Sequence, residues 1–146
     1  MTKSSLPMFL LRLILGVVFI TEGLLKFMQP VELGMGRFAH IGLPVPESLA
    51  TLVGAIEISA GTAMLLNFFT GDAAILLLGV IVTALVTTKI PILLGYPLGR
   101  FQPLPLAHYG LMSFLHESRT DLMVLFGLIA VLIDSGVSHG RRRWNS

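Results

Sequence analysis

Glu22 and Lys26 stand four residues apart inside an apolar segment that runs from Leu6 to Met28. On a helix they share a face, and the acid on the N-terminal side is the better order for an ion pair. The segment is long enough to cross a bilayer, for which ~20 apolar residues suffice. A charge near mid-membrane costs at least ~2.5 kcal/mol on insertion scales. Glu22 is therefore expected to face protein and to need a partner, with Lys26 the nearest. Glu57, Lys89 and Asp121 also lie in or beside apolar runs, and His116 and Arg119 precede the last of them. Ionisable groups at membrane depth are a functional hypothesis by default. Such a set can relay protons, with a carboxylate as acceptor, or bind a polar headgroup between helices. The plainer reading stands beside it. Lys26 and Lys89 can snorkel to headgroups unaided, and Glu22 and Glu57 can serve as glue between helices. Arg12 is read as an anchor at the cytoplasmic edge rather than a ligand.

Composition narrows the chemistry. Of 146 residues, 54% are hydrophobic and only 12% charged, with a mean hydropathy of +0.85. Soluble domains carry ~25% charged residues, so this is a membrane protein, read as one domain over residues 1–146. The chain has no cysteine. Thiol redox chemistry and thiolate-held metals are thereby excluded, and no metal-ligand cluster or phosphate loop is present. Any electrons must sit on a group the chain does not covalently own. The net charge of +2 includes the run Arg141–Arg143, which suits anionic lipid headgroups. Nucleic-acid binding is not expected. His40, His108, His116 and His139 all fall outside the expected spans, so haem held between helices is not expected either.

These residues need helices to position them. The first is expected over 6–28, ended by Gln29 and Pro30. It is too long for a signal-peptide core and is read as a retained span. Met35 to Ile41 suits a short interfacial helix. A second span is expected over 48–69, where Ala50, Gly54, Glu57 and Gly61 form one stripe of small residues with an acid in its centre. Small residues let membrane helices approach closely. A turn at 67–72 follows, with Thr70 or Asp72 available as a cap. The third span is expected over 72–90, ending or kinking at Pro91. Then comes a long connection with Pro97, Pro103 and Pro105, in which 111–115 suits an interfacial helix. The fourth span, 120–137, is the shortest on composition, with its pure apolar run limited to 122–133.

The expected architecture is all-α, an integral membrane four-helix bundle with both termini on the cytoplasmic side of the inner membrane. Lys3, Arg12 and Arg141–Arg143 would share that side. Arg37, Arg100, Arg119, Lys26 and Lys89 would be opposite, so the positive-inside rule is met only if the two lysines are buried partners. In this topology Glu22, Lys26, Lys89 and Asp121 gather in the outer half, and Glu57 approaches them from mid-membrane. A faint echo accompanies it. Lys26 precedes Glu57 by 31 residues and Lys89 precedes Asp121 by 32.

Arg12, Gly16, Gly23 and Lys26, then Gly42-Leu43-Pro44-Val45-Pro46, then Gly54-Ala55-Ile56-Glu57 with Gly61 and the turn at 65–74, together resemble the DoxX family. The resemblance is densest over 11–81. It implies a small four-helix membrane protein. Some members of that family resemble the membrane subunit of a thiosulfate:quinone oxidoreductase, and others are associated with oxidative-stress responses or redox complexes. By position, Arg12, Lys26 and Glu57 match its charged residues, and Asp121 stands nearest to an acid that is usually Glu. The long 96–115 insert departs from the family pattern. So does the end, where Asp134-Ser135-Gly136 and the arginine run replace a Gly-Pro-Gly.

The leading functional expectation is a membrane subunit of a redox system that binds a quinone or similar small molecule in a charged pocket in the outer half. The ligand-binding candidates are Glu22, Lys26, Glu57, Lys89, His116 and Asp121, with no catalytic residue assigned and enzymatic activity left open. No cofactor is evident from sequence beyond a quinone, and no metal is expected. The expected partners are the lipid bilayer and a soluble or membrane redox protein, with homo-oligomerisation open. The alternatives are a small-molecule or ion permease, for which the inner half offers little beyond Thr83 and Thr87, and a non-catalytic membrane scaffold.

Overall fold

The computed structural model describes the backbone of residues 5–144 and the side chains of residues 5–136. The described chain is all-helical, with no strand beyond an isolated bridge between Leu98 and Phe101. Helix α1 is Leu6–Met28, α2 Met35–Ile41, α3 Pro46–Leu65, α4 Thr70–Ala84, α5 Ile90–Leu94 and α6 Leu111–Trp144, with a π-helical turn at Leu85–Lys89 joining α4 to α5. Among the described residues, three stretches are long and apolar enough to cross a membrane: Leu6–Met28, Pro46–Leu65 and Thr70–Leu94. Large apolar side chains such as Ile14, Val17, Leu52, Ile75, Val82 and Phe126 remain exposed on the outside of the bundle. They form the surface that a membrane protein gives to lipid.

The first helix and the short α2 lie where the sequence places them. The others shift, each for a local reason. Helix α3 starts at Pro46 rather than at 48, because proline at the first helical position loses no hydrogen bond and its φ is already helical. It ends at Leu65, where Asn67 takes a left-handed φ of 54°, a conformation asparagine tolerates. Neither Thr70 nor Asp72 caps α4. The cap position is Phe69, without a side-chain hydrogen bond, and Asp72 instead sits in the first turn, where it favours the helix dipole.

Pro91 does not stop the third span. In a regular helix its ring would clash with the carbonyl four residues back, at Thr87. The π-helical turn at Leu85–Lys89 widens the ladder just before it, and the helix resumes with Pro91 in the first turn of α5. Thr87 and Thr88 hydroxyls donate to the main-chain carbonyls of Thr83 and Ala84, at 2.8 and 2.6 Å. The span therefore reaches Leu94. The segment 111–119 is likewise not a separate interfacial piece. It forms the first turns of α6, a single helix of 34 residues, whose Ser118 is fully buried and donates to the Phe114 carbonyl at 2.5 Å.

The core is built from Leu15 and Phe19 of α1, Ala60 and Met64 of α3, Ala73, Ala74, Leu77 and Ile81 of α4, and Val124, Leu128 and Val131 of α6. Lys26 follows the core residues of α1, Glu57 precedes those of α3, Lys89 follows those of α4, and Asp121 precedes those of α6. The Lys26–Glu57 and Lys89–Asp121 contacts, with the tight turn that reverses the chain between α3 and α4, place all four charges beyond the core at one end of the bundle.

Candidate functional site

Two pairs of glycines let the backbones of α1 and α3 approach closely. A Cβ added at Gly23 would sit 2.7 Å from the Gly54 carbonyl oxygen, and one added at Gly16 would sit 2.9 Å from that of Gly61. The reverse also holds, since Gly54 faces the Gly23 carbonyl at 3.3 Å and Gly61 faces that of Gly16 at 3.0 Å. Both pairs are seven residues apart on each helix, so α1 and α3 run antiparallel in fixed register. Helix side chains lean toward their own N-terminus. In an antiparallel pair, Lys26 therefore leans down α1 while Glu57 leans toward it along α3, and they meet beside the Gly23–Gly54 contact. A Cβ at Gly23 would lie 3.1 Å from the Glu57 Cβ.

Lys26 Nζ lies 2.7 Å from Glu57 Oε2 and 3.8 Å from Glu22 Oε2. It also donates to the Glu22 main-chain carbonyl at 3.4 Å. The Glu57 contact is an ion pair whose angles are not those of a regular hydrogen bond, and Oε2 has no other hydrogen-bond partner. The side chains of Lys26 and Glu57 are 10% and 5% exposed, whereas that of Glu22 is 56% exposed. Burying a carboxylate is tolerated only when it is paired, which accounts for Glu57 taking the short contact.

A second pair closes at the same end. Lys89 Nζ, on the π-helical turn, lies 3.5 Å from Asp121 Oδ2 on α6. The wider turn gives Lys89 an orientation that an unbroken α-helix would not. Among the described residues, no ion pair joins this pair to the Glu22–Lys26–Glu57 group.

The structure distributes the candidate residues over two separate ionic groups and the helix surface. Lys26, Glu57, Lys89 and Asp121 all pair across helices, and neither lysine relies on snorkelling alone. Glu22 is not buried against protein as expected, since its side chain remains exposed beside Lys26. His116 is exposed and its ring joins neither group, although its main-chain carbonyl accepts a hydrogen bond from Arg119 Nη1. Arg12, expected at the cytoplasmic edge, is a buried side chain. It is 5% exposed, and only the register of α1 on α3, invisible in the local sequence, tucks it there.

Two cavities stand away from the charged group. One, of about 450 Å³, lies between α2 and the start of α3, beside Met35, Ala39 and Val45. The other, of about 210 Å³, is lined by Phe9, Arg12, Leu13 and residues 64–67.

The DoxX family model matches residues 8–90. The chain belongs to the DoxX family. The matched part of this DoxX protein contains both glycine pairs, the Glu22–Lys26–Glu57 group and Lys89, and leaves out α6 with Asp121. The chain is 43% identical over 122 residues to "Uncharacterized membrane protein Rv3486" of Mycobacterium tuberculosis, covering 84% of this chain and 71% of the relative. It is 33% identical over 91 residues to "Putative oxidoreductase CatD" of Bacillus subtilis, covering 62% of this chain and 66% of the relative. The chain thus spans just under two thirds of CatD. No solved structure matches it significantly.

Proposed function

We propose that this DoxX protein is the membrane subunit of a redox system and that it binds a quinone or a similar small molecule at Lys26. The observation that carries the reading is the Lys26 ammonium, held inside a membrane helix pair between a buried carboxylate and an exposed one. The oxidoreductase name of CatD supports the same class. Glu57 orients the ammonium from the buried side. Glu22 contacts it at longer range from the open side, so a ligand oxygen that displaces Glu22 can accept a hydrogen bond from Nζ. The freed Glu22 carboxylate is then placed to hold or pass a proton at the bundle surface. A quinone, when bound, supplies the electron-carrying group that this cysteine-free chain lacks. A soluble or membrane partner would exchange the electrons. Lys89 and Asp121 brace the same end from α4 and α6.

In this reading α6 is the fourth span, carried across by the apolar run 122–133 with Asp121 and Asp134 at its edges. An even number of spans puts both termini on one face, which the basic residues Lys3 and Arg141–Arg143 assign to the cytoplasmic side of the inner membrane, with the charged group in the outer half. The test is a titration of ubiquinone or menaquinone analogues into nanodisc-embedded protein. Lys26→Gln and Glu57→Gln are each expected to weaken binding about tenfold or more, the loss of one charge-assisted hydrogen bond. Wild-type affinity in both variants contradicts the reading.

One observation favours a second reading, a non-catalytic scaffold. The charges at this end pair with one another, and the two cavities described above are not lined by them. It predicts variants that lose stability while a reconstituted partner keeps its activity.

A further inference from the structure

We propose that the exposed flank of α1 at Glu22 is the seat of a partner's transmembrane helix, whose basic side chain pairs with Glu22. The seat gives chemistry to a membrane partner. Only that partner's redox role rests on the reading above. Leu15, Phe19, Glu22 and Lys26 stand at i, i+4, i+7 and i+11, so they share one stripe of α1. Leu15 and Phe19 are core residues, buried in the bundle. Helix α6 covers the stripe at their level, where a Cβ added at Gly127 would lie 3.2 Å from Leu11 and 3.3 Å from Leu15. Glu22 is seven residues past Leu15, ~10 Å further along the helix, and its side chain is exposed. The core face of α1 therefore continues to Glu22 with no helix of the described chain over it.

Lipid chains are a poor cover for that place. Glu22 is six residues before the end of α1, ~9 Å below it, and a helix of 23 residues exceeds a ~30 Å hydrocarbon layer by only ~5 Å in all. A carboxylate at that depth calls for protein around it. The charges say what kind of protein. Glu22, Glu57 and Asp121 oppose only Lys26 and Lys89, three carboxylates to two ammonium groups. The exposed member of each group is an acid: Glu22 is 56% exposed against 10% for Lys26, and Asp121 25% against 11% for Lys89. Arg119 does not restore the balance. Its guanidinium donates to the His116 main-chain carbonyl, and among the described residues it joins no ion pair. A second copy of this chain has little to offer at this depth, since its Lys26 and Lys89 are paired and its Arg12 is buried. A partner helix with one arginine at the level of Glu22 supplies the missing charge, and a guanidinium holds both carboxylate oxygens at once. With Glu22 so engaged, Lys26 keeps its short contact to Glu57.

Förster transfer between the full chain and a synthetic helix tests the seat, in phosphatidylcholine vesicles without quinone. The probe is a leucine–alanine peptide as long as α1, with a single arginine at the depth of Glu22. It is expected to associate with the wild type at least about tenfold more tightly than the same peptide with glutamine in that place. Glu22→Gln in the chain is expected to abolish the difference, and Glu22→Asp to keep it. Changing the peptide leaves the protein untouched, so the two peptides decide the matter even if Glu22→Gln does not fold. Equal association of both peptides with the wild type overturns the proposal. So does Glu22-dependent self-association of labelled copies that the arginine peptide fails to disrupt, which would assign the flank to a second copy. Quinone binding at Lys26 is read separately, by the nanodisc titration, and stands or falls on its own.

Discussion

A lysine ammonium has three N–H groups to satisfy and no acceptor of its own. Inside a membrane helix, only protein or a ligand can satisfy them. Lys26 divides its contacts between Glu57, Glu22 and the Glu22 carbonyl, and only the Glu57 contact is short. Removing that one acid leaves a largely buried cation with an exposed acid as its remaining ionic partner. Glu57→Leu should cost about 3–5 kcal/mol, whereas Lys26→Met with Glu57→Leu should return stability to within about 1 kcal/mol of wild type. Denaturation in mixed micelles checks both values, and a neutral Glu57→Leu would show that the pair does little. The need for pairing was legible in sequence, because an acid and a base on an apolar helix cannot stay alone. The choice of Glu57 over Glu22 was not. It depends on which flank of α1 meets α3, and four-residue spacing on one helix says nothing of that.

Helices α1 and α3 are set by their glycines more than by their apolar residues. The stripe Ala50, Gly54, Glu57 and Gly61 is buried as its spacing requires, and Gly16 and Gly23 oppose two of its members. Adding a methyl at Gly23 drives it into the Gly54 carbonyl and the Ile58 side chain, both at 2.7 Å. Gly23→Ala should therefore cost about 1–3 kcal/mol through overpacking, despite the better helix propensity of alanine. Gly79 is the control, since an added Cβ there meets nothing within 4 Å. Gly79→Ala should be neutral or stabilising by up to about 1 kcal/mol. Equal effects at the two positions, measured by thermal unfolding, would contradict close packing at Gly23. The third span shows where sequence reasoning runs out. Proline is a sound stop signal on average, but a π-helical turn absorbs its clash, and nothing in the local pattern around Thr87 and Thr88 announces that turn. The same holds for α6. Its early turns carry His116, Glu117 and Arg119 and read as loop, yet Ser118 is buried and fixes them as helix.

At the scale of the molecule, the spacing echo becomes geometry. The 31-residue and 32-residue separations correspond to two cross-helix ion pairs, Lys26–Glu57 and Lys89–Asp121. Both lie beyond the apolar core at one end, which makes the bundle polar at that end and dry in its middle. The absence of cysteine allows the proposed topology to be read by single-cysteine labelling in right-side-out vesicles. Ser113→Cys, at the start of α6, should react with an impermeant maleimide. Ser5→Cys and Gly136→Cys should react only after permeabilisation. Labelling of Ser113→Cys and Gly136→Cys from the same side would remove α6 from the spans.

The pairing of Lys26 with Glu57 and the binding of a ligand at Lys26 are separable, and the doubly substituted chain separates them. The decisive measurement is a quinone-analogue titration of the folded Lys26→Met, Glu57→Leu protein in nanodiscs, beside the wild type. Saturable binding by the wild type and none by the double variant is the expected result. Equal affinity in the two would contradict it and leave the charged group with a purely structural part.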